Sequence, residues 1–285
     1  MNKVYACIDG FANTTAVIDC AAWSALRLAV PLELLHILER DPVRAAVTDY
    51  SGAIGMNAQE SLLDELSDID EQRGKLAQER GRRLLAAARE HARAAGVSRL
   101  DGRLRHGDLL ESVLEMEPDA RIFVLGQHYH ATESSKIHLD HHVERVIRSV
   151  KRPVLVATGE HFAAPRRVVI AFDGSATARK TVETVARSPL LAGLPVLVAM
   201  ADVESTLSRQ LLKESRRVLL AAGFDADIEL AAGDPEVVLP ALVKANDADL
   251  LVMGAYGHSR IRQLIVGSTT TTLLRLSEVP VLILR

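Results

Sequence analysis

Short, continuous apolar runs recur along the chain and are separated by longer mixed segments. The runs that begin at Lys3, Pro195 and Leu250 are rich in Val, Ile, Leu and Ala, as are strands that are buried on both faces of a sheet. The segments between such runs carry apolar residues at helical spacing. Alternation of the two kinds of segment predicts an α/β fold, with a parallel sheet covered by helices on both faces.

The pattern occurs twice in the same order. A strand that ends in Asp9-Gly10 recurs as one that ends in Asp173-Gly174, and three later matches follow: a Gly-Asp turn, an apolar run ending in glycine and a final strand that begins with proline. Four matches in one order indicate duplication. We therefore predict two tandem doubly wound, Rossmann-like domains, residues 1–158 and 165–285, joined by a linker that contains glycine and proline.

The first copy is the longer one. The spacing between matched features places about 36–38 additional residues between Leu38 and about Arg80. From Leu62 onward, apolar residues follow helical spacing and charged residues share the opposite face. One long or broken helix is predicted there, with a solvated charged face as its simplest interpretation.

A glycine-rich stretch near the end of the chain carries the clearest candidate chemistry. An apolar strand runs into Gly254 and Gly257, and Gly267-Ser268-Thr269 then opens a helix, giving the spacing Gly-x2-Gly-x9-Gly-Ser. Glycines allow close backbone approach to a ligand, and the free amides at a helix N-terminus attract anions, above all phosphate. Taken singly, each residue also fits an ordinary turn or helix cap. The joint spacing favours an anion cradle.

This stretch resembles the ATP-binding motif of the universal stress protein family, and every fixed position of that motif is present. The resemblance implies an adenine nucleotide alpha hydrolase-like fold and ATP, with or without Mg, as ligand. The resemblance implies that Asp173 lies near the adenine and ribose and that Ser175 helps to shape the same turn. It also implies that Val198 contacts the adenine, with an alignment of this strand that is defined to within two positions. Arg260 and Arg262, within the x9 segment, are either phosphate partners or solvent-facing.

The function that the resemblance implies is an ATP-dependent switch or adaptor in the stress response. A helix N-terminus binds phosphate without supplying a base or a nucleophile, so binding is expected rather than catalysis, with at most slow hydrolysis. No nucleophile elbow or Rossmann fingerprint occurs in the sequence. Two alternatives stay open: a slow ATPase or autophosphorylating enzyme in which Asp173 holds magnesium, and a structural dimer module without a ligand.

The first copy has lost the motif. Asp140 and His141 stand where the second copy has Gly267 and Ser268, and Gly126 lacks its partner glycine. We expect no ATP binding there. Imidazole and carboxylate groups are competent zinc or nickel ligands, although the spacing matches no standard zinc motif. The candidate metal ligands are His128, His130, His138, His141 and His142.

Composition narrows the class of partner. The formal net charge is only −3 over 285 residues, which argues against a nucleic-acid surface. Cys7 and Cys20 form no disulfide framework, and no apolar run is long enough to span a membrane. A cytoplasmic location is expected. The closing strand, Val279 to Arg285, ends at a potential sheet edge, which predicts either a homodimer or pairing of the two copies within one chain.

Overall fold

The structure, a computed structural model, describes residues 2–38, 56–127, 141–254 and 268–285. The described residues of its first half form five strands and four α-helices in alternation. In chain order they are β1 (Lys3–Ile8), α1 (Thr14–Leu28), β2 (Leu32–Leu38), α2 (Met56–Ala94), β3 (Leu100–His106), α3 (Leu109–Met116), β4 (Ala120–Gly126), α4 (His141–Ser149) and β5 (Val154–Ala157).

The second half repeats this order with shorter elements. They are β6 (Val168–Ala171), α5 (Ala176–Arg187), β7 (Val196–Ala201), α6 (Thr206–Ala221), β8 (Ala226–Ala231), α7 (Pro235–Ala245), β9 (Leu250–Gly254), α8 (Ser268–Leu276) and β10 (Val281–Leu284). Helix α4 begins at His141 and helix α8 begins at Ser268. The alignment of the two sequence repeats pairs these two residues with each other. The predicted tandem α/β fold is confirmed.

All ten strands form one sheet, in the order β3-β2-β1-β4-β5-β10-β9-β6-β7-β8. Within each half every neighbouring pair is parallel. In the second half, β7 lies beside β6 and β8 lies beside β7. The next strand, β9, pairs with the opposite side of β6. Strand order therefore reverses between β6 and β9, where an open parallel sheet places its ligand crevice.

The two halves meet through their last strands. Strands β5 and β10 are antiparallel, with Leu155 opposite Leu282. Arg285 then donates hydrogen bonds to the carbonyl oxygens of Arg148 and Val150, at 3.0 and 2.8 Å. Strand β10, the closing strand of the sequence analysis, is thus internal to the sheet. The edge that it would otherwise expose is paired with β5 of the same chain. Of the two pairings that the sequence left open, the intramolecular one is present.

Each face of the sheet is covered by one layer of helices. One core cluster joins the sheet to α1, α2, α5 and α6, and a second joins the other face to α3, α4, α7 and α8. Both cysteines are packed in these cores, and burial raises the pKa of the Cys7 thiol to about 12. A thiol in that state is inert at neutral pH. None of the helices within the described ranges is long and apolar enough to cross a membrane.

The additional residues of the first copy that the structure describes form the N-terminal part of α2. This helix has 39 residues, whereas its counterpart α6 has 16. The prediction of one long helix in the insertion is confirmed for the part of the insertion that the structure describes.

Candidate functional site

The loop after β6 brings Asp173 to the carboxyl edge of the sheet, beside the point where strand order reverses. The Asp173 Oδ1 atom accepts a hydrogen bond from the Ser175 backbone N–H at 2.9 Å. Gly174, with φ of +75°, supplies the left-handed conformation that the turn requires. The Asp173 side chain is exposed. The predicted position of this carboxylate at the rim of the crevice therefore agrees with the structure.

Ser175 caps the helix that follows the turn. Its side-chain oxygen accepts a hydrogen bond from the Ala178 backbone N–H at 3.1 Å, and the residue has the extended backbone of an N-cap. The role predicted for Ser175, shaping the turn, corresponds to this contact. Because the hydroxyl oxygen accepts this hydrogen bond, Ser175 contributes to the rim by fixing where α5 begins.

Gly254 is the last residue of β9 and lies directly against α5. A Cβ atom at Gly254 would lie 2.8 Å from the Thr181 Oγ1 atom and 2.9 Å from the Thr177 Cγ2 atom. Real Cβ atoms do not approach other atoms so closely, so only glycine lets α5 pack onto the end of this strand. Gly254 therefore has a packing role that requires no ligand.

The N-terminus of α8 faces the same edge of the sheet. Strands β9 and β10 are parallel and adjacent, and α8 connects the carboxyl end of β9 with the amino end of β10. The helix begins at Ser268, and Thr269 in its first turn is half-buried. Gly257, Gly267, Arg260 and Arg262 lie outside the described residues. The described part of the predicted cradle is thus the N-terminus of a helix at the carboxyl edge of the sheet.

Val198 does not reach the crevice. It lies in the middle of β7, fully buried, with Ile170 and Ile228 as its register partners on the two sides. Its backbone is part of the sheet ladder, so the structure does not place it where it could meet a ligand's ring. The carboxyl end of β7 is formed instead by Met200 and Ala201, two and three positions further on.

The sequence analysis did not identify the residues at the carboxyl end of β7, Met200 and Ala201, or the Asp202 that follows them. A Cβ atom at Gly174 would lie 3.8 Å from the Met200 Cε atom, so Met200 lies beneath the Asp173 turn. Asp202 follows the strand, and its carboxylate accepts hydrogen bonds from the Val203 N–H and the Ser208 hydroxyl, both at 2.8 Å. The signal that could have found these residues is the acidic residue directly after the apolar run of β7.

A third carboxylate stands at the end of β8. Asp234 caps α7 by accepting a hydrogen bond from the Glu236 backbone N–H at 2.9 Å. Asp173, Asp202 and Asp234 therefore follow three neighbouring parallel strands along one edge. A polyanion would be repelled by this row, whereas hydroxyl and amino groups, which donate hydrogen bonds, would be attracted. The electrostatics favour a ligand whose phosphates point toward α8 and whose uncharged part points toward the carboxylates.

The corresponding edge of the first half is filled by a side chain. Asp9 makes the same turn as Asp173, with its Oδ1 atom accepting from the Phe11 N–H at 3.0 Å. The Asn13 amide lies over Gly126, where a Cβ atom would be only 2.6 Å from Asn13 Nδ2. This nitrogen donates to the Gln127 carbonyl oxygen at 2.8 Å. Asn13 stands where the second half has Thr177, and its longer side chain occupies the strand end.

The candidate metal ligands fall mostly on residues that the structure does not describe. His128, His130 and His138 lie outside the described ranges, as does the side chain of His141. His142 is described and half-buried at the start of α4. Among the residues that are described, no group of three or more His, Cys, Asp or Glu side chains is placed to hold a metal ion.

A cleft of about 950 Å³ lies at the opposite edge of the sheet. It is lined by the amino ends of β6 and β9, including Arg167 and Asp249, and by the ends of α7 and α8. The C-termini of both helices face this cleft, and their partial negative charge disfavours phosphate. The helix N-termini lie at the carboxyl edge instead, where their partial positive charge favours an anion.

Comparison with known proteins gives a consistent result. The family model described as the Universal stress protein family matches residues 165–285. Universal stress protein Slr1230 of Synechocystis sp. is 32% identical over 288 residues, which cover 100% of both chains. A universal stress protein structure from Archaeoglobus fulgidus superposes with a TM-score of 0.74 at 19% identity, covering 100% of this chain and 98% of its own. One from Pseudomonas aeruginosa gives a TM-score of 0.62 at 18% identity.

Proposed function

Because the chain belongs to the universal stress protein family and is a tandem-type member of it, we propose that its C-terminal half binds ATP. In this proposal the bound nucleotide sets the conformation or partner choice of a stress-response switch or adaptor. The observation that carries the proposal is the convergence of the Asp173 turn, the strand end at Gly254 and the N-terminus of α8 on one edge of the sheet.

The phosphates are proposed to lie at the start of α8. The first backbone N–H groups of a helix have no partner within the helix and lie at the positive end of its dipole. Ser268 and Thr269 add hydroxyl groups that can donate to phosphate oxygens. Gly257 and Gly267 would let the backbone approach these oxygens closely. This arrangement needs no lysine, in contrast to a P-loop.

The adenine and ribose are proposed to lie at the other end of the crevice. Ribose hydroxyls donate hydrogen bonds, and the exposed Asp173 carboxylate is an acceptor at the rim. The apolar end of β7, at Met200 and Ala201, provides a surface for the base, and we assign this contact there rather than to Val198. A magnesium ion bound with the nucleotide would reduce the repulsion between its phosphates and the acidic edge.

Binding without rapid turnover fits the side chains that are present. The carboxylates of Asp173, Asp202 and Asp234 each accept a hydrogen bond from a backbone N–H in their own turn. Such bonds fix the side chains in the turns. A general base has to lie within hydrogen-bonding reach of the attacking water, and these carboxylates follow β6, β7 and β8, whereas α8, where the γ-phosphate would lie, follows β9.

The experiment is to denature freshly purified protein and identify the released small molecules by mass spectrometry. Wild type is compared with Gly267→Val and with Asp140→Val, which makes the same change at the aligned position of the first half. We expect roughly equimolar adenine nucleotide from wild type and Asp140→Val, and none from Gly267→Val. Thermal unfolding with and without added Mg-ATP gives the same comparison for protein that is purified empty.

Two outcomes would contradict the proposal. The first is an empty wild-type protein whose midpoint of thermal unfolding does not change with ATP, which favours a ligand-free structural module. The second is loss of nucleotide in Asp140→Val but not in Gly267→Val, which moves the site to the first half. Phosphate release well above the Gly267→Val background would instead establish the slow ATPase.

A further inference from the structure

A cavity of about 300 Å³ lies where the two halves of the chain meet, on the face of the sheet that carries α1 and α5. The first half contributes Leu28, at the end of α1, and Ile122 of β4. The second half contributes Leu282 of β10 and the C-terminal part of α5. The Asp173 turn lies at the other end of α5, so the cavity is separate from the nucleotide crevice.

The cavity follows from the way in which the two halves join. Helix α1 packs on β4 and β5 of its own half, and α5 packs on β9. The space between the two helices lies over β10, whose Leu282 and Leu284 side chains line it. The loop after α5 forms one wall, because the Arg27 guanidinium of α1 donates hydrogen bonds to the carbonyl oxygens of Leu190, at 3.0 Å, and Ala192. Contacts between the halves thus shape the cavity.

The lining of the cavity is mainly apolar. Val185 is fully buried, and Ile122, Leu191 and Leu282 are each only 1–2% exposed. A buried water needs about two to four polar partners, whereas an apolar cavity of about 150 Å³ stays dry and accepts a molecule such as benzene. Small-molecule sites begin at about 300 Å³. The lining therefore suits the apolar body of a small molecule.

Charged side chains line the same cavity and leave a positive balance. Glu183 and Arg187 pair with each other at 3.7 Å. The other two charged groups are Arg121 and Lys180, and no hydrogen bond or ion pair among the described residues engages their side chains. Arg121 is half-buried, and a cation that is partly removed from water is stabilised by an anion that accepts its hydrogen bonds. A carboxylate is complementary to these two cations.

The backbone of β4 explains the placement of Arg121. Lys3 and Val4 are consecutive in β1, but they pair with Ala120 and Ile122. Arg121 is therefore the extra residue of a β-bulge. Bulges re-aim side chains and are over-represented next to functional sites.

The duplication does not reproduce this pair of cations. The repeat aligns Arg121 with Asp249 and Lys180 with Ala16. The Asp249 carboxylate accepts a hydrogen bond from the Arg166 backbone N–H at 2.9 Å, and Ala16 is buried in the core under α1. A carboxylate at the aligned position would repel an anion, so one site per chain is expected.

We propose that the cavity at the junction of the two halves binds one apolar monocarboxylate per chain, of the class of medium-chain fatty acids. The alkyl chain lies against the leucine side chains, and the carboxylate accepts hydrogen bonds from Arg121 and Lys180. Because both halves line the site, the ligand binds only the folded chain and stabilises the junction. The proposal does not depend on nucleotide binding in the crevice.

Isothermal titration calorimetry of the full chain with sodium octanoate tests the proposal, after the protein has passed over a hydrophobic resin that removes copurified lipid. The matched probes are 1-octanol, which has the same chain without a charge, and octylamine, which is a cation at neutral pH. We expect one octanoate per chain and no binding of octylamine. Octanol should bind about tenfold or more weakly than octanoate, because it lacks the hydrogen bonds between charged groups. Octanoate should also raise the midpoint of thermal unfolding.

Three variants locate the site. Arg121→Gln/Lys180→Gln removes both cations and should reduce octanoate binding to the level of octanol, with octanol binding unchanged. Lys213→Gln/Arg217→Gln removes the same charge at exposed positions of α6 and should leave the binding of both probes unchanged. Thr184→Phe enlarges a half-buried side chain that lines the cavity and should abolish the binding of both, while circular dichroism shows that the fold is kept.

A wild-type protein that binds no octanoate at millimolar concentration overturns the proposal. So does octanol binding as tight as that of octanoate, or octanoate binding that is unchanged in Arg121→Gln/Lys180→Gln. Unaltered octanoate binding in a folded Thr184→Phe protein overturns it as well, since the ligand then lies outside the cavity.

Discussion

Gly254 offers a sharp test of how the crevice is built. In Gly254→Ala, the new methyl group would lie 2.8 and 2.9 Å from side-chain atoms of Thr181 and Thr177. Both threonines are stiff at χ1 in a helix, so α5 has to shift. Overpacking of this kind costs about 1–3 kcal/mol. Lower entropy of the unfolded chain offsets about 0.4–1 kcal/mol, which leaves a net destabilisation of about 0.5–2 kcal/mol.

The measurement is urea unfolding without nucleotide, in wild type and in a Thr177→Ala/Thr181→Ala background. With both side chains shortened, the nearest remaining atom is the Thr177 carbonyl oxygen at 3.5 Å, an ordinary contact. The cost of Gly254→Ala should therefore vanish there, giving a coupling energy of about 1–3 kcal/mol in the double-mutant cycle. Gly74→Ala is the control, since its helical site is open and the change should stabilise by about 0.5–1 kcal/mol.

The same cost of Gly254→Ala in both backgrounds would refute the packing role. Gly254 would then be constrained by something other than α5, and the approach of a ligand to the strand end would become its main explanation. Unchanged stability in wild type would refute it as well.

Three further predictions concern side chains outside the crevice. Glu33 is 1% exposed and is paired with Lys3 at 2.8 Å and Arg103 at 2.7 Å, whose side chains are 27% and 48% exposed. Glu33→Ala should cost about 1.5–3 kcal/mol in urea unfolding through loss of these charge-assisted hydrogen bonds, and unchanged stability would contradict this. Ser175→Ala should cost about 1 kcal/mol through loss of the α5 cap, and Ser175→Asp should restore it. Burial alone would raise the pKa of Asp108, but backbone N–H donors and the Arg145 guanidinium lower it below its ordinary 3.8. Asp108 therefore stabilises the fold above that pH, and the advantage over Asp108→Asn should shrink as pH falls through the lowered pKa, as acid titration of unfolding would show.

Local sequence determined most of the elements. Apolar runs predicted the strands, since β-branched residues without alternation have to be buried on both faces. The Asp-Gly turns were predictable because carboxylate and glycine act within three residues of each other, and both Asp9 and Asp173 make the expected hydrogen bond. The long helix of the insertion followed from its spacing. The glycine and hydroxyl residues of the predicted cradle were likewise readable in order, because a motif of fixed spacing is a local property.

Only the tertiary structure decided which distant parts meet. The pairing of β5 with β10 could not be chosen from sequence, because the backbone groups of an edge strand accept any partner strand. The burial of Val198 inside β7 was not readable either, since a uniform apolar run does not mark where a strand leaves the sheet. The Asn13 amide over Gly126 joins residues more than a hundred positions apart, and the close contact of Thr181 with Gly254 depends on how α5 lies across β9. Such contacts follow from packing in three dimensions, which no local pattern encodes.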